Sequence, residues 1–205
     1  MTTYEIPKTC GRTATFAPVP DLDVVAAVAS RGFYDDPVMH WVFPDPETRL
    51  DALRVSMNMF ARRFLARTGR IDVVEDACVA MWLPPDPPDL AEEDAPIPPP
   101  EAWHHYSPDV VERFTALGHA MEAAHPEEPH WYLGVVATDP EHQGRGLGAR
   151  TLRPVLEICD REGVPAYLES SNARNLPFYY RQGWVQTGEI VVPDGPTLFP
   201  MWRHP

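Results

Sequence analysis

WYLGVVATDPEHQGRGLGARTLRPVLEICDREG, residues 131–163, is the stretch whose reading decides the fold. Its first eight residues form an apolar run too continuous for a strand with one wet face, so they predict a buried strand. Asp139-Pro140 turns the chain, a loop with Gly144, Gly146 and Gly148 follows, and residues 147–162 read as a helix. Glycines at alternate positions leave main-chain N–H groups unobstructed by Cβ atoms. A helix N-terminus adds unsatisfied donors and the positive end of its dipole. Strand, glycine loop and helix in that order make a pyrophosphate cradle. Arg145 and Arg150 would add positive charge beside it.

Three glycine-loop patterns compete for this segment. A P-loop ends in Gly-Lys-Ser/Thr, and this loop ends in Gly148-Ala149-Arg150. A dinucleotide fold needs GxGxxG near the start of a βαβ unit, whereas here the spacing is GxGxG, after several strands. The third pattern, Gln/Arg-x-x-Gly-x-Gly/Ala, is filled by Gln143, Gly146 and Gly148.

Outward from this core the chain alternates between elements. Residues 13–16 read as a short first strand, and Asp21 caps a helix to about Ser30. Phe33-Tyr34-Asp35-Asp36-Pro37 interrupts it. Residues 47–67 predict an amphipathic helix whose apolar stripe is Leu50, Leu53, Met57, Phe60, Phe64 and Leu65. Residues 71–76 and 78–83 are two strands joined by a tight turn, and 108–123 form a helix opened by Ser107-Pro108. Then come strand 131–138, helix 147–162, strand 164–170, helix 174–182, strand 184–192 and a last strand in TLFPMWRH. Residues 83–100, LPPDPPDLAEEDAPIPPP, carry too much proline for helix or central strand and too much acid for burial. They are expected as an insertion within a single domain spanning 1–205, either a solvated connector or a lid.

The composition narrows the classes of function. The 205 residues are 44% apolar and 23% charged, as in a soluble globular chain. No run approaches the roughly 20 apolar residues that cross a bilayer, and MTTYEIPKTCGR is no secretory signal. A cytoplasmic protein without a membrane partner is the expectation. The net charge of −13 opposes nucleic-acid binding and suits a cationic partner. Cys10, Cys78 and Cys159 are scattered, and His104-His105 lacks accompanying ligands, so no metal is expected.

The Gln-x-x-Gly-x-Gly segment resembles motif A of the GNAT superfamily of acyl-CoA-dependent N-acyltransferases. NARNLPFYYRQGW, residues 172–184, is similar to that family's motif B, through Asn172, Tyr179 and Gly183-Trp184. From about Glu128 to Trp184 the wording is similar to the puromycin N-acetyltransferase branch. The resemblance implies an α/β fold: a central twisted mixed sheet flanked by helices, its fourth and fifth strands (131–138 and 164–170) splayed around acetyl-CoA. It implies that Val136, Ala137 and Thr138 meet the acetyl and pantetheine groups. The loop Gln143, Gly144, Arg145, Gly146, Leu147, Gly148 and Ala149 would hold the pyrophosphate, with Asn172 approaching from the other side.

Such a transfer needs a base for the amine, a donor for the thioester oxygen and an acid for the leaving thiolate. Tyr179 is the candidate acid, with Tyr180 its rival, and Glu169 is the first choice for base. Phe33, Tyr34, Asp35, Asp36 and Tyr132 are candidates for acceptor binding, as is His130, although one of the two aspartates also suits a helix cap before Pro37. Trp41, Trp82, Trp103, Tyr106 and Trp131 fall in segments expected beside the acceptor, with Trp41 and Trp82 better explained as core. The implied partner is a small-molecule amine, an antibiotic or other secondary metabolite. The alternatives are a non-catalytic acyl-CoA or amine-drug binding module, or a protein N-acetyltransferase. Related proteins are monomers or homodimers.

Overall fold

A computed structural model describes residues 20–88 and 106–205; the expected strand at 13–16, Cys10, most of the proline-rich insertion, Trp103 and the pair His104-His105 lie outside the described residues. The helices are α1 (Leu22–Gly32), α2 (Pro37–Val42), α3 (Arg49–Ala66), α4 (Pro108–Ala124), α5 (Leu147–Glu162) and α6 (Leu176–Tyr180). The strands are β1 (Arg70–Val74), β2 (Cys78–Leu83), β3 (Trp131–Thr138), β4 (Ala166–Ser170), β5 (Val185–Gln186), β6 (Ile190–Val191) and β7 (Thr197–Arg203). The expected fourth and fifth strands are therefore β3 and β4.

The sheet runs β1-β2-β3-β4-β7-β5, and β6 also pairs β7. Every pairing is antiparallel except β3 with β4. Those two strands pair only at Trp131↔Ala166 and Tyr132↔Tyr167. Beyond that point β3 continues along β2 alone, and β4 along β7 alone, so the sheet opens between them.

Side chains alternate across the sheet and divide the core in two. Val79 and Met81 pack with α1, α2, α3 and α4 on one face. Ala80 and Trp82 pack with α5 and α6 on the other, around Leu152, Val155, Leu156, Cys159 and Tyr179. β2 is accordingly buried along its whole length.

In β3 the alternation breaks at Gly134. Leu133 pairs Trp82 while Val135 pairs Met81, so Gly134 is an extra residue, a bulge. Trp131, Leu133 and Val136 consequently face α5, whereas Tyr132, Val135 and Ala137 face α1 and α3. A Cβ at Gly134 would stand 2.3 Å from the ring of Phe64 of α3, so any larger residue there would have to displace that ring.

Three sequence expectations change. Leu50 is 42% exposed, because the buried stripe of α3 runs through Arg49, Leu53, Met57, Ala61 and Phe64, one position away from it. The segment around Pro37 holds a further short helix, α2, which Asp36 starts. Strand 184–192 divides into β5 and β6. Pro200 of β7 has no N–H to continue the ladder there. Thr187 instead donates its N–H to the Pro200 carbonyl, and the register slips by one residue before β6 resumes.

Candidate active site

The opening between β3 and β4 is where the chain brings its candidate residues together. On the β3 side the main chain supplies the chemistry. Asp139 donates its N–H to the Ala77 carbonyl on β2. Alternation then turns the N–H groups of Val136 and Thr138 away from β2, into the opening. Without the bulge at Gly134, the N–H groups on this part of β3 would point the other way. Ala137 is buried toward α1, and the Thr138 hydroxyl is held by the Cys78 Sγ at 3.2 Å.

The glycine loop begins where β3 ends. Gly144 and Gly146 have φ of 75° and 77°, the left-handed region, and a Cβ at either would meet open space within 4 Å. Gly146 is the N-cap of α5, and no side chain caps that helix, so its first N–H groups face outward unclaimed. Gly148 serves differently: a Cβ there would lie 3.2 Å from the Phe178 ring, so this glycine lets α6 approach α5. Leu147 is buried against Ala77 and Cys78 and anchors the turn, with Ala149 half-buried behind it. The Gln143 side chain donates to the Thr138 carbonyl at 3.3 Å, and Arg145 to the Glu141 carbonyl at 3.4 Å. Arg150 pairs with Glu75 across the turn between β1 and β2, at 2.6 Å.

The α1–α2 turn is pressed against the end of β3. A Cβ on Gly32 would come within 2.9 Å of Ala137 and 3.1 Å of the Thr138 carbonyl. The Arg31–Asp139 ion pair, at 2.6 Å, fastens the same junction. Burial would raise the Asp139 carboxyl, but the Arg31 hydrogen bond, the Glu141 N–H and nearby positive charge outweigh it and hold the carboxyl low. The sequence analysis singled out neither Gly32 nor Arg31; their roles arise only from the long-range packing.

Of the two aspartates, Asp36 is buried and Asp35 is exposed, 3.7 Å from His40. Asp36 Oδ1 accepts from the N–H groups of Val38 and Met39, capping α2. Its Oδ2 accepts from the Ser171 hydroxyl, just past β4. Burial raises its pKa, only partly countered by Ser171 and the two N–H donors. Both carboxylate oxygens are thus engaged, and Asp36 ties α2 to the end of β4. Phe33 ends α1, and Tyr34 bonds the Pro46 carbonyl beneath the Arg49 guanidinium.

On the face toward α1–α4 the opening is lined by side chains. Tyr132 stacks between Phe64 and Tyr167, with centroids at 6.3 and 6.2 Å. Glu169 shares the Tyr167 face of β4, and its side chain is 1% exposed. Its Oε1 is buried without a hydrogen bond among the described residues, as is the Tyr167 hydroxyl. His125 Nδ1, from the C-cap of α4, lies 3.6 Å from that Oε1. Burial, then the charge of Glu169, pushes the Tyr132 and Tyr167 phenols far up, so both keep their protons.

Tyr179 approaches from α6. It is buried against Trp184, with centroids 6.3 Å apart, and its hydroxyl makes no hydrogen bond among the described residues. Burial, and then the charge of Asp36, raises its pKa far above the usual phenol value. Asn172 spends its Oδ1 on the Arg174 N–H, so its turn is self-capped and its amide NH2 is left over. Tyr180 is exposed and bonds Gln186, which sets it apart from the opening. Trp82 and Trp131 pack on the α5 face, away from Tyr132 and Glu169; Trp41 and Tyr106 pack on the α1–α4 face. Among the described residues no group of three metal-ligating side chains converges, and no helix is long and apolar enough to cross a membrane.

Known proteins share parts of this sequence and this fold. The chain is 41% identical over 66 residues to an uncharacterized N-acetyltransferase of Schizosaccharomyces pombe, covering 32% of this chain. It is 40% identical over 60 residues to the mycothiol acetyltransferase of Brachybacterium faecium, covering 28% of this chain. It spans 27% and 18% of those relatives' own lengths. Among solved structures, a Corynebacterium glutamicum protein described as histone acetyltransferase HPA2 and related acetyltransferase superposes with a TM-score of 0.65 at 28% identity, over 90% of this chain and 91% of that one. A mosquito arylalkylamine N-acetyltransferase like 5b shares the fold at 13% identity, with a TM-score of 0.59 over 90% of this chain and 95% of that one. Residues 72–184, more than half of the chain, match the sequence model of the acetyltransferase (GNAT) family, and the chain belongs to that family.

Proposed function

We propose that the protein is an acetyl-CoA-dependent N-acetyltransferase acting on a small-molecule amine. The observation that carries this reading is the opening between β3 and β4, headed by the glycine loop and the uncapped N-terminus of α5. Open space over Gly144 and Gly146 suits an anionic group drawn onto main-chain N–H donors. The exposed N–H groups of Val136 and Thr138 suit a pantetheine arm lying along β3. Acetyl-CoA, when bound there, supplies an acyl carbon activated as a thioester.

The chain's own groups then divide the proton work. An alkylamine arrives protonated and must lose a proton before its nitrogen can attack. Glu169 is the candidate base, a carboxylate with a buried side chain whose Oε1 accepts no hydrogen bond among the described residues. A main-chain N–H of β3 is the donor toward the carbonyl oxygen as negative charge develops on it. Tyr179 is the candidate acid: it holds its proton through the neutral range and has no hydrogen-bond partner among the described residues. Tyr132 and Tyr167, stacked on each other, form the aromatic wall beside Glu169. Asp36 keeps α2 against β4 and does not itself act as the base, because both of its oxygens are occupied.

The choice of a small acceptor rests on the aromatic wall beside Glu169 and on the resemblance read in the wording of 128–184. The experiment is calorimetric titration with acetyl-CoA, followed by a thiol-release assay over phenethylamine, spermidine, kanamycin and puromycin, and over a lysine-containing peptide. Binding with thiol release on at least one amine supports the reading. Absence of acetyl-CoA binding overturns it. Binding without release on any amine leaves a binding module instead, and release only with peptides makes the acceptor a protein.

A further inference from the structure

We propose that His125 is the proton-transfer partner of Glu169, carrying the acceptor's proton from that buried carboxylate to solvent. This rests on the reading of Glu169 as the base. A base with a buried side chain faces a problem the reaction does not solve for it: each turnover loads it with a proton that must leave before the next. At 1% exposure, Glu169 has no direct route to water. His125 is 36% exposed, and its Nδ1 lies 3.6 Å from the Glu169 oxygen. One end of the pair is therefore in the site and the other in solvent.

The ring is held for this purpose. His125 closes α4, and its backbone N–H returns to the Glu122 carbonyl. Its imidazole meets Tyr132 and Tyr167 edge-on, at 5.0 and 5.1 Å, which fixes its plane against β3 and β4. Among the described residues, the other groups around the pair cannot carry the proton. Tyr132 and Tyr167 retain their own protons, because burial and then the Glu169 charge raise both phenols. His130, 4.9 Å from His125, has its Nδ1 committed to the Glu128 carbonyl at 2.6 Å and is itself buried. Burial lowers its pKa, offset in part by that carbonyl and by the charges of Glu169 and Glu128. Arg67, whose charge reaches Tyr132, is a guanidinium with donors only and cannot accept a proton. Trp202 completes the wall behind His130 and bears no titrating proton.

The step balances. The ammonium N–H bond breaks as its proton passes to a Glu169 oxygen, giving the neutral acid and the free amine. The acid's O–H proton then moves to Nδ1 of neutral His125, forming imidazolium and restoring the carboxylate. The imidazolium then releases a proton to water and returns to the neutral tautomer whose Nδ1 is free to accept in the next turnover. Transfer requires the 3.6 Å separation to close to hydrogen-bond length, about 2.7–3.0 Å.

The test uses the full chain, acetyl-CoA and the amine of the panel turned over fastest. His125→Asn is expected to lower kcat by about tenfold at neutral pH, with acetyl-CoA affinity unchanged. Added imidazole is expected to restore much of the lost rate in a saturable way, and to do nothing for wild type or for Glu169→Gln. If His125→Asn keeps wild-type kcat, or loses rate that imidazole does not restore, the relay is overturned. Should His125→Asn fail to fold, His125→Gln is read by the same criteria. The two readings fail separately. An unimpaired Glu169→Gln, or no thiol release from any amine, removes the base and the relay together. An impaired Glu169→Gln beside an unimpaired His125→Asn removes the relay alone.

Discussion

The two sides of the opening are built from different materials. The glycine-loop side is main chain: two left-handed glycines, an uncapped helix start and the outward N–H groups of β3. The β4 side is side chains: Glu169 and Tyr167 from β4, Tyr132 from β3, His125 from the end of α4, Asp36 from the start of α2 and Tyr179 from α6. A main-chain site binds a group common to many reactions and tolerates changes at positions whose side chains point elsewhere. A side-chain site can be retuned one residue at a time. If the comparison is right, substitutions on one side should damage cofactor affinity, and those on the other should damage turnover.

The largest effect is expected at Glu169. Glu169→Gln keeps the shape and removes the proton acceptor, so kcat should fall by about 10²-fold or more. Acetyl-CoA affinity measured by calorimetry should stay within about threefold, as expected for a group outside the main-chain cradle. A change that falls mainly on affinity would erase the distinction between the two sides. Tyr179→Phe should come next, with a loss of roughly tenfold or more in kcat. The phenol is held far above its usual pKa by burial and by Asp36. Tyr179 therefore stays protonated as pH rises through the normal phenol range, and the substitution should lower the pH–rate profile throughout without moving its alkaline midpoint. A shifted midpoint would assign a titration there to Tyr179 and contradict its environment.

Gly146→Val probes the other side. Valine in the left-handed region is strained by about 1–2 kcal/mol, and its side chain would occupy the open space above the loop. Acetyl-CoA binding should weaken about tenfold, because the side chain stands in the space above the loop, while the backbone strain lowers stability. The rate at saturating acetyl-CoA should stay near wild type. An equal fall in kcat at saturation would mean that the loop also places the acyl carbon, and would sharpen the comparison by giving the cradle a share in turnover.

The difference in material also explains what was legible in the sequence. A main-chain site must write itself into residue type, because only glycine tolerates the backbone it needs. Gly144 and Gly146 were therefore readable as a glycine turn into a helix, and α5 begins where the pattern puts it. Gly148 was readable as a glycine but not for its reason, since Phe178 lies thirty positions away. The bulge at Gly134 left no mark beyond one more glycine in an apolar run, yet it reverses which β3 N–H groups face the opening. The side-chain site is scattered from Asp36 to Tyr179 and converges only through the sheet. Glu169 and Tyr179 could be named from their motif neighbours. His125 carried no signal at all, because its place beside Glu169 depends on where α4 ends. Asp36 was readable as a cap before Pro37, but its bond to Ser171 was not.

The smallest expected effect sets one buried carboxyl from each side against the other. Asp139, at the loop side, is held low despite its burial, by the Arg31 hydrogen bond, the Glu141 N–H and nearby positive charge. Its folded state favours the ionised form, so its contribution to stability is present above the unfolded value of 3.8 and is lost as pH falls below it. Arg31 is 45% exposed, so solvent screens the pair and Asp139→Asn should cost only about 0.5 kcal/mol at neutral pH. Asp36, at the β4 side, is raised by burial against the pull of Ser171, Met39 and Val38. Its folded state favours the protonated form, so its contribution is present below 3.8 and is lost as pH rises through the folded value. Urea midpoints taken across the acid range should therefore diverge in opposite senses. Relative to Asp139→Asn, wild type gains stability as pH rises toward 3.8. Relative to Asp36→Asn, wild type loses stability as pH rises above it. Asparagine at 36 keeps the acceptor for Val38 and Met39, and the Ser171 hydroxyl can turn to accept, so the cap survives the substitution. Slopes of the same sign would mean that Asp36 is stabilised as an anion after all, and that the β4 side carries more positive charge near α2 than its residues supply.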